Sequence, residues 1–243
     1  GAAAKGPFWF LLYAMTDRDF TRERVERALA AGAKAICFTV DGQFTSHRER
    51  LLRGRLRSPA PPVEASGASR SVRRRTPTTA PHRYRLDPVL VYELSWPFLR
   101  ELRSYTKVPI LVKGLLTPED AKLAVEYGAD GIVVSNHGGR YLDGAPSTIE
   151  VLPEIVDAVG GKTTVLIDGG FRRGTDVMKA LAIGAKAVLI GRPPLWGLGA
   201  FGEAGVKRVL ELLQTELALA MGLSGKPNLA SLDRSAIRID PRY

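Results

Sequence analysis

One of the three histidines in this 243-residue chain sits where proton transfer would be expected. His137 lies in the run Ser135-Asn136-His137-Gly138-Gly139-Arg140, directly after the apolar stretch Gly131-Ile132-Val133-Val134. An imidazole changes its proton state near neutral pH, so it can serve as a general base. Arg140, three residues further on, can clamp an anion through two parallel hydrogen bonds. A lone histidine is more often structural. Here the glycine-flanked turn at a strand end is what points to chemistry. His47 and His82 fall in or beside a basic segment and are expected to be exposed.

Other polar residues also follow apolar runs. Asp41 ends the run Ala35 to Val40, where it could orient a histidine and stabilise its protonated form, or simply make a turn. Lys113 ends Ile110-Leu111-Val112, where it could face a site or snorkel to solvent. Asp168-Gly169-Gly170-Phe171-Arg172-Arg173-Gly174 joins a strand to a helix start. Its glycines admit a ligand close to the backbone, the helix end offers free N–H groups, and Arg172 adds charge. Gly191-Arg192-Pro193 repeats the device after the next strand. Together the two loops read as a phosphate site.

The elements that must position these residues alternate along the chain. Strands are expected at Phe8–Tyr13, Ala35–Val40, Pro109–Val112, Gly131–Val134, Thr164–Ile167 and Ala187–Ile190. Helices are expected at Asp17–Ala31, from Asp87-Pro88 to about Ser104, from Thr117-Pro118, at Ser147–Val159 and at Gly174–Ile183. A long amphipathic helix is marked by Val206, Val209, Leu210 and Leu213. Apolar strands separated by helices mean a parallel sheet covered by helices. The polar residues gather after the strands, and no Gly-x-Gly-x-x-Gly turn follows the first strand. The phosphate-like loops come after the last two strands, which is the habit of a (β/α)8 TIM barrel rather than of an open doubly wound sheet. About six strands are visible where a barrel needs eight. The expectation is therefore an incomplete barrel lacking its N-terminal strands, in a single domain spanning 1–243.

The net charge of +10 is local. Arg48 to Arg85 holds 11 arginines against two acids, Glu49 and Glu64, so nearly all the excess lies there. Residues 53–86 are rich in Pro, Ser, Arg and Ala without periodicity, which predicts a long mobile loop. It could be a lid, a partner or peripheral membrane contact, or a solvated insertion. It lacks the interleaved aromatics of a nucleic-acid binder. No apolar run approaches the roughly 20 residues needed to cross a bilayer. Residues 1–5 show no leader pattern. The single Cys37 lies in an apolar run and is expected to be buried and inert. A cytoplasmic setting is the default, with membrane association through the basic segment as a variant. No cluster of residue types suggests a metal.

Several runs, taken in order, resemble one family. They are Ile110-Leu-Val-Lys-Gly114, Gly131-Ile-Val-Val-Ser-Asn-His-Gly-Gly-Arg-Tyr-Leu-Asp143, Asp168-Gly-Gly-Phe-Arg-Arg-Gly-Thr-Asp176 and Ile190-Gly-Arg-Pro193. Trp9 to Tyr13, Thr39 to Asp41 and Glu203 to Val206 extend the match over nearly the whole chain outside the basic loop. The set resembles the FMN-dependent 2-hydroxy-acid dehydrogenases and oxidases, which act on glycolate, lactate or mandelate.

The resemblance implies FMN as cofactor and His137 as base with Asp41 as its partner. It implies that Tyr13, Arg48 and Arg140 hold the substrate. Thr39, Lys113 and Ser135 would lie against the flavin ring, Lys113 near N1. Asp168, Gly170, Arg172, Gly191 and Arg192 would hold the ribityl chain and phosphate. Electrons would pass to O2 or to a quinone or cytochrome, and homo-oligomers are usual. Leu11 stands where the family usually has a glutamine that hydrogen-bonds the flavin, which leucine cannot do. Two other readings remain open. One is a non-catalytic relative that binds FMN or a phosphorylated ligand without turnover. The other is a different FMN or phosphate barrel, such as an isomerase.

Overall fold

The computed structural model describes residues 6–15, 17–44 and 94–239. Arg48, His47, His82 and the basic loop expected at 53–86 lie outside them.

Six parallel strands form one sheet among the described residues. They are β1 (Trp9–Leu12), β2 (Ala35–Thr39), β3 (Ile110–Leu115), β4 (Gly131–Val134), β5 (Thr164–Ile167) and β6 (Ala187–Val188). Their spatial order is their sequence order, β1-β2-β3-β4-β5-β6. A doubly wound sheet reverses direction at a switch point, whereas a barrel adds each strand on the same side. The sequential order therefore makes this an arc of a TIM barrel, incomplete at six strands. β6 is shorter than the expected Ala187–Ile190; beyond Val188 only the Leu189 N–H still bonds back to the Ile167 carbonyl, at 2.8 Å.

The helices are α1 (Arg18–Ala30), α2 (Trp96–Tyr105), α3 (Pro118–Glu126), α4 (Thr148–Val159), α5 (Gly174–Ile183) and α6 (Arg192–Leu223). Local chemistry starts several of them. Asp17 accepts the Phe20 N–H at 2.9 Å, and Thr117 accepts that of Asp120 at 3.2 Å with Pro118 opening α3. The start expected at Asp87-Pro88 lies outside the described residues, and within them α2 opens at Trp96. Leu94 and Ser95 are not helical, and Ser95 is an extended cap before Trp96-Pro97. Proline suits a first helical turn. α6 takes in Arg192 itself and breaks at Phe201 and Gly202, whose backbone angles are not helical.

The two faces of the sheet separate the core. Outward side chains (Leu12, Ile36, Phe38, Ile110, Val112, Ile132, Val134, Val165 and Ile167) pack under the helices with Phe98, Leu99, Leu102, Leu152 and Ile155. Full burial of such a side chain contributes roughly 2 kcal/mol. The inward face is a smaller apolar layer of Ala35, Cys37, Leu111, Val133 and Leu166. Burial pushes the Cys37 thiol up to about 11, so it stays protonated and unreactive. Trp9 and Leu11, on the inner face of edge strand β1, remain 47% and 41% exposed.

α6 docks on the start of α5 through Glu216. Its carboxylate accepts the Gly174 N–H at 2.9 Å and Arg173 Nη1 at 2.8 Å. Only glycine permits this approach, because a Cβ on Gly174 would lie 2.1 Å from the Leu217 nitrogen. The backbone bond first, and Arg173 second, hold the Glu216 carboxyl below its ordinary value of 4.5. A depressed folded value means the stabilisation is complete above the unfolded value and is lost as pH falls through the folded one. Glu216→Gln should therefore flatten the acid limb of the stability curve below about pH 4. Urea midpoints measured across that range test it, and unchanged acid limbs would count against the coupling.

Candidate active site

The chemistry-bearing residues meet at the carboxyl ends of the strands. His137 follows β4, and its Nδ1 lies 2.9 Å from Asp41 Oδ1, at the end of β2. Their side chains are 6% and 12% exposed. An ionised carboxylate can only accept, so Nδ1 donates to it, and in the neutral ring Nε2 is then the nitrogen with the free lone pair. Nε2 faces the Tyr13 hydroxyl, beyond β1, at 3.5 Å. Residues 124 apart in the chain are thus brought to one imidazole.

The turn that presents His137 is held in an unusual conformation. Its φ is 56°, and among the described residues it alone has positive φ without being glycine. Such a backbone costs energy unless its surroundings fix it. Ser135 Oγ accepts the His137 N–H at 3.1 Å, and Arg140 Nε donates to the His137 carbonyl at 3.1 Å. Arg192 Nη2, from the start of α6, donates to the Gly138 carbonyl at 2.9 Å. Three side chains therefore hold the backbone on either side of the base.

Ser135 is in turn held from β3. Lys113 Nζ donates to Ser135 Oγ at 2.7 Å and pairs with Asp168 Oδ2, at the end of β5, at 3.1 Å. The register between β3 and β4 shifts between Lys113 and Leu115. This irregularity at Gly114, with φ of 111°, leaves room for Asp41. A Cβ on Gly114 would lie 2.6 Å from Asp41 Cβ. Around this network Thr39 Oγ1, Asp41 Oδ2 and Asp168 Oδ1 are buried without a hydrogen-bond partner. Buried polar atoms are ordinarily satisfied, so three at one strand-end rim point to a polar ligand there.

The phosphate-like loops are arranged differently from the sequence reading. At the N-terminus of α5 three backbone N–H groups are already bonded. Those of Arg172 and Arg173 both donate to Asp176 Oδ2, at 3.0 and 2.9 Å, and that of Gly174 goes to Glu216. An acid at the third helical position and a distant carboxylate have filled the place. Gly170 is exposed with φ of 85°, and the Arg172 guanidinium stands over the Trp196 ring at 5.5 Å. Gly191 caps α6, and Arg192 reaches the His137 turn rather than remaining with the second loop.

Tyr13, Asp41, Lys113, Ser135, His137, Arg140, Asp168 and Arg192 thus form one connected network, with Thr39 beside Lys113 in register across β2 and β3. Gly170, Arg172 and Gly191 lie on the neighbouring loops without a direct bond to it. Sequence reading missed two groups. Thr148 Oγ1 donates to the Asp168 carbonyl, and the Tyr141 ring meets that of His137 with centroids 4.6 Å apart. Neither residue type carries a local signal for such a role.

The chain is similar to known proteins over nearly all of its length. The chain is 49% identical over 238 residues to an L-lactate oxidase of Nostoc sp., covering 95% of this chain and 64% of that protein. It is 46% identical to 2-hydroxyacid oxidase 1 of Mus musculus, covering 96% and 64%. A crystal structure of a mandelate oxidase variant superposes with a TM-score of 0.81 at 42% identity, over 96% of this chain and 64% of that one. Another, described with a monooxide FMN adduct, gives 0.75 at 40% identity, over 96% and 63%. The chain therefore spans about 64% of the length of these relatives. The family model described as FMN-dependent dehydrogenase matches residues 1–239, and the chain belongs to that family.

Proposed function

We propose that this chain carries the centre at which an FMN-dependent enzyme oxidises a small L-2-hydroxy acid, of the lactate, glycolate or mandelate class, to the 2-oxo acid. The observation that carries this reading is the His137–Asp41 pair, with Nε2 turned towards Tyr13. His137 Nε2 takes the substrate proton. Asp41 holds the ring and stabilises the imidazolium that results. Tyr13 and Arg140 hold the substrate, Arg140 through its carboxylate, and Arg48 is assigned a second contact to that carboxylate.

The inner rim suits FMN. Thr39 Oγ1 and Asp168 Oδ1 are buried and unpartnered, and Lys113 supplies a fixed positive charge between Ser135 and Asp168. Bound FMN supplies the two-electron acceptor, and a cation beside the ring favours negative charge there. Thr39, Lys113 and Ser135 are assigned to the ring. Asp168, Gly170, Arg172, Gly191 and Arg192 are assigned to the ribityl chain and phosphate. Relatives named as oxidases make O2 the first electron acceptor to test, with a quinone or cytochrome as the alternative.

A second reading, in which FMN is held without turnover, is favoured by the exposed inner-face residues Trp9 and Leu11. One experiment separates the two. The chain is loaded with FMN and mixed anaerobically with L-lactate, glycolate and mandelate. Bleaching of the flavin by one of them is the expected result. A flavin-loaded chain that none of them bleaches would overturn the first reading.

A further inference from the structure

Asp41 holds His137 by one ring nitrogen. A single hydrogen bond does not fix an imidazole. The last side-chain torsion of histidine is broad, and a turn about it would carry Nδ1 off the carboxylate and free the ring to change tautomer. Tyr13 at 3.5 Å from Nε2 is too distant to stop that swing by itself. A third group meets the ring. Tyr141 stands nearly perpendicular to it, with centroids 4.6 Å apart and an interplanar angle of 83°. Aromatic rings favour this edge-to-face arrangement, which sets the angle of one ring against the other.

The same phenol lies beside the chain neighbour of the other half of the pair. A Cβ on Gly42, the neighbour of Asp41, would lie 3.1 Å from the Tyr141 hydroxyl and 3.2 Å from the carbon that bears it. Glycine at position 42 leaves just the space the phenol occupies. Tyr141 therefore packs against the base and against the backbone next to its carboxylate partner, joining the loop after β4 to the loop after β2.

We propose that Tyr141 is a positioning residue: its ring against His137 and its hydroxyl end against Gly42 hold the imidazole on Asp41, so that Nε2 stays turned towards Tyr13. It touches no reacting atom and acts through His137. The effect on rate rests on the hydroxy-acid reading above. The effect on the ring does not, because it exists without flavin or substrate.

The test reads the ring first. Nitrogen-15 spectra of the chain, with His137 assigned by comparison with His137→Gln, report which ring nitrogen carries the proton. The unaltered chain is expected to show one tautomer, protonated at Nδ1. Tyr141→Leu should give a mixture, and Tyr141→Phe should restore the single form, since phenylalanine keeps the ring edge. In the flavin-loaded chain Tyr141→Leu should slow reduction by substrate about 3- to 10-fold with KM little changed. Tyr141→Phe should recover most of the loss.

A single Nδ1–H tautomer in a folded Tyr141→Leu overturns the proposal. So does a phenylalanine variant as mixed as the leucine one, because the ring edge would then not be the brace. If the leucine variant does not fold, Gly42→Ala gives the same readout by crowding the phenol, and an unmixed tautomer there also overturns the idea. Mixed tautomers in a chain that no hydroxy acid bleaches would refute the reaction and leave the positioning intact. Bleaching with unmoved tautomers would do the reverse.

Discussion

His137→Gln should slow substrate-driven bleaching of the flavin-loaded chain by about 10³-fold while leaving flavin binding largely intact, because the substitution removes a proton acceptor and little else. The bonds that hold the turn go to the backbone at this position. Ser135 accepts the residue's N–H and Arg140 donates to its carbonyl, whatever the side chain. A glutamine amide can also donate to Asp41, so the carboxylate that already has one unpartnered oxygen does not lose its other contact. What glutamine cannot supply is a basic nitrogen facing Tyr13. Stopped-flow absorbance under anaerobic conditions measures the rate, and a flavin titration measures binding. A variant that bleaches at close to the native rate would remove His137 from the role of base. A variant that no longer binds flavin would show that the turn depends on more than its backbone bonds.

The second large effect is expected at Lys113. Its ammonium and the Asp168 carboxylate are 10% and 18% exposed and 3.1 Å apart. Removing one partner of such a pair strands the other charge in a poor solvent. Lys113→Met should destabilise the chain by about 3 kcal/mol and lower its melting temperature by roughly 8 °C. Asp168 Oδ1 is already without a partner, so no alternative bond stands ready to absorb the loss. Ser135 also loses the donor that holds it under the His137 N–H. Adding Asp168→Asn removes the stranded charge and should recover much of the stability, but not the flavin affinity. Thermal melts of the two single variants and the double variant form the cycle. If Lys113→Met melts with the unaltered chain, the pair does not stabilise the strand ends. If the double variant is no better than Lys113→Met, the cost lies in lost packing rather than in an uncompensated carboxylate.

These two substitutions probe different links of the same arrangement. His137 is where the proposed chemistry acts. Lys113 stands two contacts away, yet it reaches the base through Ser135 and a shared hydroxyl. The inner face of the sheet makes this possible. Its lower part is filled by Cys37, Leu111, Val133 and Leu166, and the next inward positions carry Thr39, Lys113, Ser135 and Asp168. Apolar packing below and polar groups above come from the simple alternation of side chains along each strand.

Much of this was legible in the chain itself. The six strands and the helix start at Thr117-Pro118 depend on neighbouring residues, so period and cap chemistry were enough to find them. The run Ser135 to Arg140 was readable as a base beside an anion clamp for the same reason. Where local signals were thin, the boundary moved: β6 closed after two residues. Tertiary structure alone decided which strand ends meet. The pairing of His137 with Asp41 spans 96 residues and follows from the sheet order and the register across β2, β3 and β4. It also decided that Glu216 fills the start of α5, where sequence suggested an open anion site, and that Tyr141 stands against the base. Neither could be read locally, because a side chain's partner across the fold is set by how whole elements dock and not by the residues on either side of it.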